Sequence, residues 1–173
     1  MGDLVTERLL LHRLSVREAE ALAAGTPAAE VCRAPEYPMD GDVAAARRFL
    51  RSCAEGRGAR HPGAYEIRRR DDGCAIGGLG FHDPADEDGS VTIGYGLVPS
   101  ARGQGYASEA LRALLALARE IGITCVKGDA DHDNTASQRV MTAAGMRLVA
   151  QDERVRYYET AWSDAPPGAV PGR

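Results

Sequence analysis

Several features that would place a protein in a special class are scarce in this 173-residue sequence. Aromatic residues make up only 5%, and no apolar run approaches the roughly 18 residues of a membrane span. Lys and Arg total 21 against 25 acidic residues, a formal charge of −4, so the whole surface gives no electrostatic basis for binding nucleic acid or an anionic membrane. Asp3 precedes any apolar stretch, unlike a signal peptide. We therefore expect a cytoplasmic protein with a small-molecule or protein partner.

The sequence also lacks a cysteine or histidine pattern that would hold a metal. The four cysteines form no C-x-x-C pair and have no histidine at ligand spacing; they are Cys32, Cys53, Cys74 and Cys125. We expect them to be buried small apolar side chains, with a reactive thiol as the alternative. Asp129 to Asn134 begins like a calcium loop, but Asn134 stands where the turn glycine belongs and Val140 where the bidentate Glu belongs. No metal cofactor is predicted.

What is present fits one packed domain. Hydrophobic residues at 44% and charged residues at 27% match an ordinary globular composition. Apolar spacing and turn signals predict seven strands, at 8–14, 65–70, 74–81, 91–98, 123–128, 146–151 and 154–160. They predict four helices, at 15–24, 42–54, 104–121 and 135–144. This order indicates an α/β domain over residues 1–162, with a mixed sheet and helices on both faces. Residues 163–173, rich in Pro and Gly, are predicted to be a disordered tail.

The strongest local signal is the strand-to-turn-to-helix segment from Leu97 to Ser108. Peptide N–H groups at a helix start have no helical acceptor, small residues admit a phosphate, and Arg102 adds a positive charge. It is not a Walker loop, because no Gly-Lys-Ser/Thr follows, and it lacks the third glycine of a dinucleotide fingerprint. By itself the segment leaves two interpretations open, an anion site and a plain strand-to-helix turn.

Arg102-x-x-Gly105-x-Ala107 matches the R/Q-x-x-G-x-G/A acyl-CoA signature of the GNAT N-acetyltransferase superfamily, which the chain resembles over about residues 4–160. Asn134-x-x-Ser137-x-x-Val140, closing with Ala144-Gly145-Met146, is similar to the second motif of that superfamily, with Met146 in place of Phe. The opening Thr6 to Leu11 and the tripeptide Ile93-Gly94-Tyr95 resemble the branch that includes ribosomal-protein N-terminal acetyltransferases.

The resemblance implies a single GNAT-type domain, with a mostly antiparallel twisted sheet of about seven strands, that transfers acetyl from acetyl-CoA to a primary amine by direct attack in a ternary complex. The expected partner is a small-molecule amine or a protein N-terminus, with a homodimer as a further hypothesis. The implied cofactor-binding residues are Leu97, Val98, Arg102, Gly103, Gln104, Gly105, Tyr106, Ala107, Ser108, Asn134 and Ser137. The alternatives are a catalytically silent acyl-CoA-binding or regulatory module and an enzyme that uses another acyl-CoA.

The catalytic residues follow less directly from the resemblance. Asn134 is assigned to an amide hydrogen bond with pantetheine and Ser137 to a proton relay toward the departing thiolate, with a helix cap as the structural alternative for either residue. Many members of the branch carry Glu immediately before Ile-Gly-Tyr as the base, and here that position is Thr92, whose hydroxyl cannot act as a base near neutral pH. His82 and Glu36 are the candidate bases. Alternatively the amine loses its proton to solvent, which the sequence alone slightly favours because no motif supports either candidate.

Overall fold

A computed structural model describes residues 2–160 and 162. Its strands form one eight-stranded sheet in the order β1-β2-β3-β4-β5-β6-β8-β7. The strands are β1 Leu4–Val5, β2 Leu9–Arg13, β3 Ala64–Arg69, β4 Ala75–Phe81, β5 Ser90–Leu97, β6 Cys125–Asp131, β7 Met146–Gln151 and β8 Val155–Thr160. All neighbours are antiparallel except β5 and β6. The predicted mixed, mostly antiparallel α/β domain is confirmed; the strand that the sequence did not reveal is β1, only two residues long.

The four predicted helices are present, together with two short 3-10 turns at Gly58–Arg60 and Pro99–Ala101. They are α1 Val16–Ala23, α2 Asp40–Ala54, α3 Tyr106–Glu120 and α4 Thr135–Ala143. The capping box predicted by Ser15 and Glu18 opens α1: the Ser15 hydroxyl accepts the Glu18 N–H, and the Glu18 carboxylate accepts the Ser15 N–H. Helix α3 begins two residues later than predicted, because Gly105 takes a left-handed φ of 81° at its N-cap.

The core lies between the sheet and the helices on its two faces. Helix α3 buries an apolar stripe whose members recur at three- and four-residue spacing: Ala110, Leu111, Leu114, Leu115, Leu117 and Ala118. Helix α4 covers the same face, since a methyl group built on Gly128 of β6 would meet Met141. Helix α2 covers the other face, where its first turn lies against Gly78 of β4. The middle of the sheet is thus enclosed on both sides.

Strand β6 runs further than the sequence predicted. Its alternate residues Val126, Gly128 and Ala130 are buried, while Lys127, Asp129 and Asp131 between them are exposed. The period of two therefore continues through the acidic stretch, and its carboxylates occupy the outward-facing positions of a strand. In the described residues no group of three or more His, Cys, Asp or Glu could hold a metal ion.

The expectation that all four cysteines are buried apolar side chains is wrong. Cys32 is exposed and the other three are half-buried, and Cys32 is disulfide-bonded to Cys74 with their Cα atoms 4.5 Å apart. The backbone brings these two cysteines together, because Ala75 N–H donates to Cys32 O and Ala34 N–H to Ala75 O, both at 2.9 Å. The pair ties the segment after α1 to the start of β4. Spacing in the sequence gave no signal for this pairing.

Two further expectations concern the ends and the hydropathy of the chain. The predicted tail at 163–173 lies outside the described residues. Within residues 2–160 and 162, no helix is both long enough and apolar enough to cross a membrane.

Candidate active site

Strands β5 and β6 separate part-way along their length and leave a gap in the sheet. They pair only from Ser90 with Cys125 to Thr92 with Lys127. Beyond Thr92, β5 continues to Leu97 along β4 alone. A splayed pair of parallel strands of this kind leaves peptide groups of β5 facing an open slot.

The register decides which peptide groups face the slot. His82 N–H donates to Thr92 O at 2.8 Å, and Val98 N–H donates to Ile76 O at 2.9 Å. Because peptide groups alternate in direction along a strand, the even-numbered residues of β5 bond to β4 and the N–H groups of Tyr95 and Leu97 turn toward the gap. Of the two residues expected to hold pantetheine, Leu97 has its N–H free to meet a ligand there, whereas the Val98 N–H is already used.

The predicted anion site follows the open end of β5. Gly103 and Gly105 have left-handed φ angles of 76° and 81°, which only glycine adopts at little cost. The turn from Arg102 to Gly105 is exposed. The next three residues form the first turn of α3, where peptide N–H groups have no acceptor within the helix; they are Tyr106, Ala107 and Ser108. Arg102 itself folds back, its Nε donating to Leu97 O at 3.0 Å.

Arg8 is a second cation at this turn that the sequence did not identify. Its Nη1 donates to Gln104 O at 2.8 Å, and its guanidinium lies 4.5 Å from the centre of the Tyr106 ring. Its Nε also donates to Glu109 Oε2 at 2.7 Å. Although burial alone would raise it, hydrogen bonds from Thr6 and Arg8 keep the pKa of Glu109 low. The positive charge of Arg8 thus compensates the negative charge of Glu109, the one acidic residue in the first turn of α3.

Ser137 lies at the start of α4, on the face of the sheet that α3 and α4 cover. Asn134 caps this helix, its Oδ1 accepting the Ser137 N–H at 3.1 Å, so the capping alternative is realised for Asn134. The Ser137 hydroxyl lies 2.7 Å from Tyr95 Oη, which also donates to Ser137 O at 3.1 Å. Burial raises the pKa of Tyr95. The hydroxyl groups of Tyr95 and Ser137 are therefore linked to each other on this face of the sheet.

On the opposite face of the sheet, four glycines of β4 and β5 line one side of a cavity. Gly78 lies opposite Gly96, and Gly80 opposite Gly94, in the β4–β5 register. Helix α2 crosses above them and encloses a cavity of about 250 Å³. The sequence showed that one face of β5 carries little side-chain bulk; it did not show that β4 carries matching glycines. We call this four-residue surface the glycine floor.

His82 and Asp42 stand over diagonally opposite corners of the glycine floor. A methyl group built on Gly94 would lie 2.7 Å from His82 Nε2, and one on Gly78 would lie 2.5 Å from Asp42 Oδ1. Burial, and then the charge of Arg48, lower the pKa of His82. Burial, reinforced by the charge of Glu66, raises the pKa of Asp42 to about 6. Asp42 was not predicted, because nothing in its local sequence sets it apart from a helix-capping acid.

The two predicted bases occupy different places. His82 lines the cavity, whereas Glu36 is exposed and accepts a hydrogen bond from Ser100 Oγ at 3.4 Å, beside the Pro99–Ala101 turn. Strand alternation puts Thr92, which replaces the branch's glutamate, on the same face as Gly94. The geometry thus brings His82 and the glycine floor together and leaves Glu36 outside.

Comparison with known proteins identifies the family of this chain. Residues 8–147 match the family model described as acetyltransferase (GNAT) domain. The chain is 28% identical over 151 residues to the uncharacterized N-acetyltransferase YoaA of Bacillus subtilis, covering 83% of this chain and 82% of that protein. A second relative from that bacterium, the uncharacterized N-acetyltransferase YjdG, is 30% identical over 115 residues, with 65% and 68% covered.

Solved structures share the fold. A GNAT-family acetyltransferase of Bordetella pertussis aligns with a TM-score of 0.63 at 25% identity, covering 93% of this chain and all of the other. RimL, a ribosomal L7/L12 α-N-protein acetyltransferase solved in complex with coenzyme A, aligns with a TM-score of 0.64 at 21% identity over 90% and 95% of the two chains. The chain belongs to the GNAT acetyltransferase family and is an N-acetyltransferase of that family.

Proposed function

We propose that this enzyme transfers acetyl from acetyl-CoA to a primary amine by direct attack in a ternary complex. The observation that carries the proposal is that one stretch of β5 borders two spaces, the gap beside β6 and the cavity under α2. Its Tyr95 and Leu97 N–H groups turn toward the gap beside β6, while Gly94 and Gly96 floor the cavity under α2. A thioester in the gap and an amine on the floor would therefore meet at one strand, without an intermediate carried by the protein.

The donor half of the proposal assigns acetyl-CoA to the gap and the turn that follows it. The pyrophosphate would lie on the turn and first helical turn from Arg102 to Ser108, with pantetheine along Leu97 and Val98 and against Asn134. Helix-start N–H groups and the helix dipole favour an anion there by about 0.3–1 kcal/mol before any ion pair is counted. The solved RimL structure holds coenzyme A, and that of the microcin C7 self-immunity acetyltransferase MccE holds acetyl-CoA.

The chemical step needs an oxyanion donor and a proton source for the thiolate. The Leu97 N–H, pointing into the gap, is assigned to the developing oxyanion. As the tetrahedral intermediate collapses, the carbon–sulfur bond breaks and the Ser137 hydroxyl gives its proton to the sulfur. Tyr95 Oη, 2.7 Å from Ser137 Oγ, returns a proton to Ser137 and is itself reprotonated from solvent, so a relay of two hydroxyls replaces a single acid.

As the amide forms, one proton leaves the nitrogen for solvent; before that, a protonated acceptor amine must lose one proton so that it can attack. Of the two side chains predicted as bases, His82 is the one that we assign to accept it, since its imidazole stands over Gly94 and its lowered pKa leaves it neutral near pH 7. Glu36, beside Ser100, has no such position. The acceptor is either a small-molecule amine or a protein N-terminus; related proteins include acetyltransferases described for ribosomal protein L7/L12 and ribosomal protein S5.

The experiment that tests this function is an acceptor screen with purified protein, in which release of free thiol from acetyl-CoA is measured. Amine-dependent release with intersecting initial-rate patterns is expected, because both substrates bind before either product leaves. Parallel patterns would contradict direct attack. Tight acetyl-CoA binding with no release across amines and N-terminal peptides would identify a silent acyl-CoA-binding module instead.

A further inference from the structure

The cavity above the glycine floor contains a buried carboxylate with one unused oxygen. Asp42 is only 8% exposed. Its Oδ2 accepts the Met39 N–H at 2.9 Å and so caps α2. Its Oδ1 stands over Gly78 and takes no hydrogen bond or ion pair from the residues that the structure describes. A buried charge without a partner is costly, and the cost falls when a cation arrives.

The surroundings of Asp42 increase this cost. Glu66 of β3 is 2% exposed, and its charge adds to burial in raising the pKa of Asp42. Tyr37, in the segment before α2, is buried, and the same two carboxylates add to burial in raising its pKa. Strands β4 and β5 contribute only glycines at this point. Although Arg68 pairs with Glu66 at 2.7 Å, no such cation meets Asp42 in the part of the chain described here.

We propose that Asp42 binds the ammonium group of the acceptor amine, as a positioning and specificity-determining residue. The inference rests on the proposed function, since it names the group that holds the acceptor in the same cavity. An ammonium on Oδ1 would pair the buried charge while the cap on Met39 stays in place. The carbon chain of the amine would lie in the cavity that the glycine floor lines.

The opposite corner of the cavity has the reverse polarity. His82 stands over Gly94 and Arg48 of α2 lies near it, since the charge of Arg48 lowers the pKa of His82. Diagonal neighbours on two paired strands are about 7–8 Å apart, so the two corners are separated by little more than a small amine. A cation is therefore attracted at the Asp42 end and disfavoured at the His82 end. The amine binds charged at Asp42, moves toward the opposite corner, gives one proton to His82 and reaches the thioester as the free base.

Direct binding tests this proposal without requiring turnover. The protein is first saturated with coenzyme A, which forms a complex unable to acetylate, and is then titrated calorimetrically with n-butylammonium chloride or butan-1-ol. Asp42→Asn keeps an oxygen for the α2 cap and removes the charge; Asp42→Ser, smaller and also uncharged, is the second variant. Asp40→Asn, an exposed acid of the same helix turn, is the matched control.

We expect butylammonium to bind the wild type and Asp40→Asn equally, and to lose about 10- to 100-fold in affinity in both Asp42 variants. Butan-1-ol should not distinguish the four proteins. At pH 6, where Asp42 is partly protonated, butylammonium binding should release about half a proton, seen as a heat that varies with the buffer, and Asp42→Asn should abolish the release.

Equal butylammonium affinity in the wild type and the folded Asp42 variants would overturn the proposal. Failure of the proposed function has a different signature, because it shows at the first step as absent coenzyme A binding. Thermal melting of each variant establishes folding before titration, and loss of the fold in one Asp42 variant leaves the other to decide.

Discussion

The two faces of β5 differ in how their functional groups are encoded. On the donor side, which we assign to acetyl-CoA, the predicted anion site lies within one continuous segment, from Leu97 to Ser108, and the serine assigned to the proton relay follows at the start of α4. On the acceptor side, which we assign to the amine, Asp42 comes from α2 and His82 follows the end of β4. The glycine floor belongs to β4 and β5. The donor side is built from backbone groups whose geometry a short motif can specify. The acceptor side is built from side chains that only the fold brings together.

The largest expected effect tests the donor side. Gly105→Asp would put a carboxylate at the turn assigned to the pyrophosphate, and like charges in contact cost several kcal/mol, so acetyl-CoA affinity should fall about 100-fold or more. Gly105→Asn is the matched control, because Asn has nearly the same size and tolerates a left-handed φ better than most residues. Calorimetry of both variants separates charge from strain. Equal affinities would show that the pyrophosphate lies elsewhere.

The second prediction concerns the relay at the boundary of the two sides. Ser137→Ala should lower the turnover rate about 100-fold, as expected for loss of a general acid, with little change in acetyl-CoA affinity. Tyr95→Phe should lower it less, and the double variant should be no slower than Ser137→Ala because the two hydroxyls act as a unit. Steady-state rates with calorimetric affinities measure this. Multiplying effects would mean that Tyr95 and Ser137 do not share a proton path.

His82→Ala tests the base on the acceptor side. Loss of a general base should lower kcat/KM by about 10- to 100-fold near pH 7. Because burial and Arg48 lower the pKa of His82, the wild-type profile should rise to a plateau from below pH 6.5, and the variant should instead keep gaining rate toward the higher pKa of the free amine. An identical profile in both proteins would show that the amine loses its proton to solvent, the route that the sequence alone slightly favoured.

A smaller effect is expected where the glycine floor is filled. The methyl group of Gly94→Ala would meet His82 Nε2 at 2.7 Å and force the imidazole aside, whereas that of Gly96→Ala would meet Met39 Cε at an ordinary 3.5 Å. We expect kcat/KM for the amine to fall about tenfold in Gly94→Ala and clearly less in Gly96→Ala, with acetyl-CoA affinity unchanged in both. Equal losses would remove the special role of the Gly94 corner.

The same contrast explains what the sequence could predict. Capping residues, helical periodicity and the Asp-Gly turn at 72–73 act locally, so they specified all four helices and the β3–β4 hairpin. The gap-facing direction of the Leu97 N–H depends on register. The Arg8 contact with Gln104 and the Tyr95–Ser137 bond join residues 96 and 42 positions apart. The structure places Glu36 on the surface beside Ser100, away from the cavity that His82 lines, and the position of such a loop residue is likewise set by the fold.

The last and smallest effect distinguishes how the two sides are held together. On the donor side, Arg8 and Glu109 form an ion pair. Because the pKa of Glu109 is low, this ion pair persists across neutral pH. The acceptor side includes His12 of β2, whose Nδ1 lies 3.1 Å from Asp3 and whose Nε2 lies 2.8 Å from Glu18 at the start of α1. Burial opposes protonation, but the hydrogen bonds with Asp3 and Glu18 outweigh it and raise the pKa of His12 above 6.5.

Because the folded protein holds this proton more tightly than the unfolded chain, the stabilisation is fully present below pH 6.5 and is lost as the pH rises through the raised pKa of folded His12. With both carboxylates partly exposed, the loss should be on the order of 1 kcal/mol or less. Urea unfolding between pH 6 and 8.5 should show this decline in the wild type and a flatter profile in His12→Gln. A decline of equal size in both proteins would show that a group other than His12 titrates. The contacts between α1 and β2 would then be as insensitive to pH as those of Arg8 on the donor side.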